Sequence, residues 1–539
     1  MQRVAAGFLV AVALAAAGAA PIAGQDRGLT PLAGLSVTNG GAPFAGDRPW
    51  LTTITPNGDG LRDSAEIHFR LREAARVRLA ISRTRVRPEA VYARTYRLGP
   101  GPHTLTWTPS PEREARTYLV RLFVKGVDGA TSNYGRAVAH RGRDAPVIRL
   151  LGIDAGFLEP SYPAGADAQL RIATDAPSLE VHFVRSGPEF GATRSSDIMH
   201  GERVSQPLDV VWHWTNRPHI LAIRLPDIPS GFYYAKLTAP DGRIGYAPFI
   251  IRPVPLGSVA RVAVVLPTNT WQAYNFYDAD GNGWGDTWYA GPQAHPAVLR
   301  IGLQRPYLNR GVPPYFRTYD LGFLHWLAWS GREVEYVADP DLARLRTGER
   351  LRRAYDLVIF PGHEEYVTGR VYRIVRSFRD LGGSLAFLSA DNFYWRVAAR
   401  SHTLRRTRPW RELGRPEAEL VGVQYRGNDG GRHQAPYTVE RAGMAPWLFA
   451  GTDLHNGSRF GHFGIEVDGR ARSSPRGTVV LAQIPHIFGR SVTAQMTYYE
   501  TRRGAKVFAF GAFTLGGSAT QPLQHTLLDN LWARLAPPG

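Results

Sequence analysis

Two β-sandwich units followed by an α/β unit built on a parallel sheet form the multidomain fold class this chain predicts, and three observations predict it. At 539 residues the chain exceeds what one hydrophobic core serves, and Gly 57 with Pro 40 is frequent enough to punctuate several units. Residues 45–253 read as short runs of alternating apolar and polar residues broken by Gly, Pro and Asp, the pattern of half-buried strands. From Ser258 onward this gives way to continuous apolar runs interleaved with stretches of helical spacing, the pattern of a sheet covered on both faces.

Met1-Gln2-Arg3 and the apolar run 4–20 have the charged and hydrophobic regions of a secretory signal, with cleavage near Ala19 or nearer Gly24. An uncleaved anchor is the alternative, since about twenty apolar residues also span a bilayer. Residues 1–24 are assigned to a signal peptide. The mature chain is then expected in the periplasm or outside the cell, with no stable membrane span. Residues 45–142 form the first sandwich, with strands at 65–70 and 117–122; its entry, Thr55-Pro56-Asn57-Gly58-Asp59-Gly60-Leu61-Arg62-Asp63, resembles the opening of immunoglobulin-like modules of secreted proteins. Residues 145–253 form the second, with strands at 168–174, 179–184, 219–225 and 232–237, and Arg252-Pro253-Val254-Pro255 reads as a linker. Residues 258–538 then alternate: strand 262–266, helix 319–330, strand 334–337, helix 341–345, strand 356–360, helix 368–381 stopped by Gly382-Gly383, and strand 384–388. After Asn392 about eighty residues rich in Gly, Arg and aromatics break the pattern and read as a lid or binding loop. The alternation resumes with strands at 478–481 and 506–510 and a helix at 521–535.

Composition narrows the function. The formal charge is +18, but the arginines are scattered among acids without a basic tail or a nucleic-acid-binding signature, so no nucleic-acid partner is expected. Only Lys125, Lys236 and Lys506 of the 64 basic residues are lysines, a skew that reads as genome composition. Cys 0 removes disulfides, thiol nucleophiles and thiolate ligands, leaving serine, carboxylate or metal-bound water for any hydrolysis.

The chemistry concentrates where Pro361-Gly362-His363-Glu364-Glu365-Tyr366 follows the strand 355–360, at the carboxyl end of a strand, where open α/β sheets hold ligands. Trp271-Gln272-Ala273-Tyr274-Asn275 follows the first parallel strand and shares that edge, unless Trp271 and Tyr274 simply cap the core. Tyr319, Asn392 and Glu500 also lie near strand ends and can converge there. Asp278, Asp280, Asn282 and Asp286 are spaced like the ligands of a calcium loop with Gly283 at the sharp turn, although Tyr289 occupies the twelfth position; a structural calcium and an Asx-rich turn are the two readings. Asn57, Asp59 and Asp63 repeat the pattern more weakly.

Leu266-Pro267-Thr268-Asn269-Thr270-Trp271-Gln272-Ala273-Tyr274-Asn275, Gly362-His363-Glu364-Glu365-Tyr366, Asn392-Phe393-Tyr394-Trp395-Arg396 and Arg415-Pro416-Glu417-Ala418-Glu419-Leu420-Val421-Gly422 resemble the large-subunit family of N,N-dimethylformamidase, over about residues 258–538. The resemblance implies a fold similar to class I glutamine amidotransferases without their cysteine, and an amide hydrolase with a mononuclear iron. It implies that Glu365, Tyr274 and either Tyr319 or Tyr315 hold the iron, that His363 and Asn392 orient substrate, and that Glu500 is the base. Phenolates and carboxylates are hard donors suited to oxidised iron, which would activate water or polarise an amide. The expected substrate is a small-molecule or polymer amide other than dimethylformamide itself, because that family's enzyme resembles a cytoplasmic two-subunit protein while this chain carries an export signal. Homo-oligomerisation stays open. Two other readings compete: a cell-surface binding protein without turnover, and a carbohydrate-active hydrolase using Glu365 with a second acid.

Overall fold

The computed structural model describes residues 31–85, 88–135, 146–190, 197–290 and 299–537, so residues 1–24, expected from sequence to be a signal peptide, lie outside the described residues. The chain is mostly β-structure in several sheets, with few helices. No helix among the described residues is long and apolar enough to cross a membrane.

In the first sandwich the sheet Leu32–Thr38, Ala65–Leu71, Gly101–Trp107 faces the sheet containing Ala75–Thr84 and Thr117–Gly126. Period-two alternation drives this: Ile67, Phe69 and Leu71 point into one core with Val77, Leu79 and Ile81. Val147–Leu150 pairs in parallel with Leu51–Ile54, so this unit recruits strands on both sides of residues 45–142. The second sandwich closes Asp154–Phe157, Asp167–Ala173 and His219–Arg224 over the sheet of Ser178–Arg185, Gly231–Thr238 and Ile244–Arg252. The opposite face of that sheet sends Phe232, Tyr234, Tyr246 and Ile250 into the core of the C-terminal unit.

Asp154, at the start of the second sandwich, accepts a hydrogen bond from Tyr277 of the C-terminal unit at 3.0 Å. Burial pushes its carboxyl up to about 6, against the pull of that hydrogen bond. A folded-state value above the unfolded one means that stability is full below pH ~4 and declines as pH rises towards 6, by on the order of 2 kcal/mol. Denaturant midpoints at pH 4.5 and 7.5 are expected to show Asp154→Asn gaining on the wild type at the higher pH. An unchanged difference between the two proteins would contradict this account.

The C-terminal unit contains five parallel strands in the spatial order Glu335–Ala338, Val262–Leu266, Leu357–Phe360, Ser384–Phe387, Lys506–Ala509. Val262, Val264 and Leu266 face helices Leu321–Trp329 and Pro522–Leu535, while Ala263 and Val265 face Gly369–Asp380, which is why these strands are apolar on both sides. The sheet does not stop there. It continues antiparallel through Ala494–Glu500, Val479–Ile484, Gln434–Val439, Arg459–Gly469 and Gln424–Asn428, and with Ala512–Phe513 paired to Arg459–Gly469 it reaches eleven strands in all. The sheet is therefore mixed, and the stretch after Asn392 that the sequence suggests as a lid instead contains five strands, three of them in this sheet. Its register shifts at Ala435/Tyr437 and Tyr425/Gly427 interrupt the two-residue period, which hides the strands from pattern reading.

Candidate functional site

The strand Leu357–Phe360 ends in Pro361-Gly362-His363-Glu364-Glu365, and three other segments clamp this turn. Phe393 N–H donates to Glu364 O at 2.7 Å and Trp395 N–H to Glu365 O at 3.0 Å. Thr270, in the helix Thr268–Ala273, accepts from Glu365 N–H at 3.2 Å. That same short helix ends at Tyr274, whose hydroxyl donates to Glu365 Oε2 at 2.7 Å. The Tyr289 hydroxyl lies 3.0 Å from that of Tyr274 and 3.4 Å from Glu365 Oε1, and touches the hydroxyl of Tyr366.

On the other side of Glu365, His363 Nε2 lies 3.4 Å from Glu365 Oε2, 3.4 Å from Glu466 Oε2 and 3.8 Å from Asp391 Oδ2. One ligand atom each from His363, Asp391 and Glu466 lies within 4.8 Å of the others, all three residues being buried. Asp468 anchors the Asp391 turn by accepting its N–H at 2.9 Å, and Asn428 Nδ2 touches Glu466 Oε1. Asp391, Phe393, Tyr315 and the β-branched Ile465 all adopt positive φ, at 53°, 60°, 61° and 64°. Left-handed backbone at non-glycine residues stores strain, and here it flanks the converging side chains.

Burial works against a charge on His363, yet Glu466, Asp391 and Glu365 outweigh it and hold the imidazole well above its ordinary 6.5. Burial pushes Glu365 up to about 7, with His363 pulling it back. Asp391 rises well above 3.8 through burial and the neighbouring Glu365 and Glu466, and the Tyr274 phenol rises well above 10 through burial and Glu365.

Of the residues expected from sequence, Tyr274, His363 and Glu365 come together. Tyr319 is buried beside Phe513 at 4.8 Å between ring centroids, and Tyr315 stacks on it at 5.2 Å while meeting Tyr274 edge-on at 5.8 Å, so both candidate tyrosines border the cluster. Asn392 is buried next to Asp391, and its amide finds no partner among the described residues. Glu500 does not join them. It pairs with Lys506 at the amino end of a parallel strand, the opposite edge of the sheet, and its carboxylate, 43% exposed, meets Arg534 at 2.5 Å. The correction has a topological cause: a residue in the connection before a parallel strand sits at that strand's amino end, away from the carboxyl edge.

Sequence reading missed Asp391, Glu466, Tyr289 and Tyr366 as site residues. Asp391 and Tyr366 adjoin residues already singled out; Glu466, inside Arg459–Gly469, had no local signal. In the acidic loop, Asp278 Oδ1 accepts from Gly281 N–H at 2.8 Å, Asp278 Oδ2 from Gly283 N–H at 2.7 Å, and Asp286 Oδ2 from Ala279 N–H at 2.7 Å, so these carboxylates serve as turn acceptors. Asp278, Asp280 and Asp286 also group closely enough for a cation.

Residues 202–524 match the family described as N,N-dimethylformamidase beta subunit-like, C-terminal. No curated protein matches the chain. Among solved structures, Escherichia coli alpha-2-macroglobulin activated by porcine elastase aligns at 13% identity and TM-score 0.22 over 44% of this chain and 23% of that one. The native conformation of E. coli alpha-2-macroglobulin aligns at 12% identity and TM-score 0.22, over 41% and 16%. The chain thus spans less than a quarter of either, and likeness at that score carries no argument.

Proposed function

We propose, proceeding from the fact that this chain belongs to the N,N-dimethylformamidase beta subunit-like family through residues 202–524, that it hydrolyses the C–N bond of amides at the His363–Glu365 edge. The observation that carries the reading is the gathering of three buried carboxylates, Glu365, Asp391 and Glu466, around one imidazole nitrogen. So much buried negative charge against a single imidazole is costly without a cation. Asp391 Oδ1 and Glu466 Oε2, without a hydrogen-bond partner among the described residues, fit the same need. Glu365, Tyr274 and either Tyr319 or Tyr315 would hold that cation, and their oxygen donors suit the iron the family implies. When bound, a hard cation supplies Lewis acidity to an amide carbonyl.

The chain's own side chains do the rest. Glu466 takes the place first assigned to Glu500: its carboxylate accepts the proton of the attacking water and returns it to the departing nitrogen. His363 donates from its ring towards the amide oxygen as charge builds there. The Asn392 amide, without a partner among the described residues, orients the substrate amide. We read the five parallel strands with helices on both faces as the glutamine amidotransferase-like part of the unit, and residues 1–24 as an export signal.

The test is amine release from simple linear amides by the purified full chain, with metal analysis, before and after chelation and iron return. Turnover that disappears with the metal and comes back with iron is the expected result. A well-folded chain that holds no metal and releases no amine would leave the binding-protein reading in its place.

A further inference from the structure

A cavity of about 250 Å³ opens between the first sandwich and the C-terminal unit. Tyr274, whose hydroxyl meets Glu365, lines it together with Tyr315 and the apolar Pro313 and Pro314. Its other wall comes from the first sandwich, as Arg85, Glu114 and Arg116. A larger hollow of about 630 Å³ beside Arg346, Arg370 and Arg373 touches none of the clustered residues.

The sandwich wall is fixed in place. Thr84 Oγ1 donates to Gly283 O at 2.5 Å and Thr117 Oγ1 to Asp278 Oδ2 at 2.6 Å. Leu51, Leu119 and Val147 pack on Trp284 in a shared apolar cluster. The loop that receives them runs on to Tyr289, which contacts both Tyr274 and Glu365. Arg85, next to Thr84, is therefore held at the cavity while its side chain stays exposed.

The charges in this cavity do not balance. Arg116 is 7% exposed; its Nη1 is 3.3 Å from Glu114 Oε2, its Nη2 donates to Thr84 O, and its Nε has no acceptor among the described residues. Arg85 lines the same space, with Glu114 the one carboxylate in the lining, while Arg317, also in the wall, donates from its Nη1 to Ile198 O. Guanidinium groups converging in a partly desolvated cavity favour a planar anion.

We propose that the first sandwich is part of the substrate site and that Arg85 and Arg116 receive a carboxylate carried by a small amide, such as an N-acyl amino acid. This rests on the amide-hydrolase reading: water adds at the acyl carbon, the C–N bond breaks, and the proton goes to the departing nitrogen, freeing a carboxylic acid and an amino acid. The experiment compares the full chain and Arg85→Ala on N-acetylglycine and its uncharged counterpart N-acetylglycinamide, by acetate release and by calorimetric binding. The wild type is expected to favour N-acetylglycine in kcat/KM, and Arg85→Ala to reduce that preference about tenfold or more. Equal handling of the two by the wild type, or a preference indifferent to Arg85, overturns the proposal. If neither probe is cleaved, the hydrolase reading fails on its own account and calorimetry decides the subsite: N-acetylglycine binding weakened in Arg85→Ala upholds it, and absent or unaltered binding removes it.

Discussion

Glu466→Gln is expected to lower amide turnover by about 10³-fold, while Glu500→Gln changes it by less than about threefold. The contrast follows from position within one sheet. Glu466 is buried, sits 3.4 Å from His363 Nε2, and is steadied on its other oxygen by Asn428. Glu500 lies at the opposite edge, already engaged by Tyr498 and Arg534. Glutamine keeps the shape of either side chain, so a loss confined to Glu466→Gln reports the missing carboxylate. Turnover of both variants under substrate saturation, with circular dichroism to confirm folding, makes the comparison. Loss in Glu500→Gln with Glu466→Gln intact would mean that proton transfer does not occur at the carboxyl edge.

The same pair shows what pattern reading resolves in this chain. His363 and Glu365 were legible because a buried apolar strand announces its own carboxyl end, and Tyr274 follows the neighbouring strand Val262–Leu266 in the same way. The sandwich strands were legible because one buried face imposes alternation, as in Ala65–Leu71. Glu466 reaches the site through antiparallel pairing of Arg459–Gly469 with distant strands, and Ile465 beside it takes a left-handed conformation that no residue-type preference suggests. Glu500 was misplaced because nearness to a strand carries no information on which end faces the ligand. Sharing of the C-terminal core by Phe232, Tyr234 and Tyr246 was equally invisible, since both faces of their two strands are buried and only the fold assigns each face to its core.

Gly362→Ala is expected to cost about 1–3 kcal/mol of stability and at least tenfold in turnover. A Cβ at Gly362 would overlap Asp320 Oδ1. Asp320 cannot swing aside cheaply: it is 1% exposed, and its Oδ2 accepts from Trp271 Nε1 at 3.2 Å. Trp271 is itself wedged against Phe232 and Phe316, where the second sandwich meets the C-terminal unit. The backbone must therefore move, and the residue it carries next is His363, whose Nε2 is set among Glu365, Asp391 and Glu466. Asp320→Ala removes the obstructing carboxyl, so the penalties of Gly362→Ala and Asp320→Ala should fall short of additivity in the double variant. Denaturant midpoints and turnover for the four proteins of this cycle measure the coupling. Full additivity, or a Gly362→Ala chain as stable and active as the wild type, would show that the turn does not hold His363 through this contact.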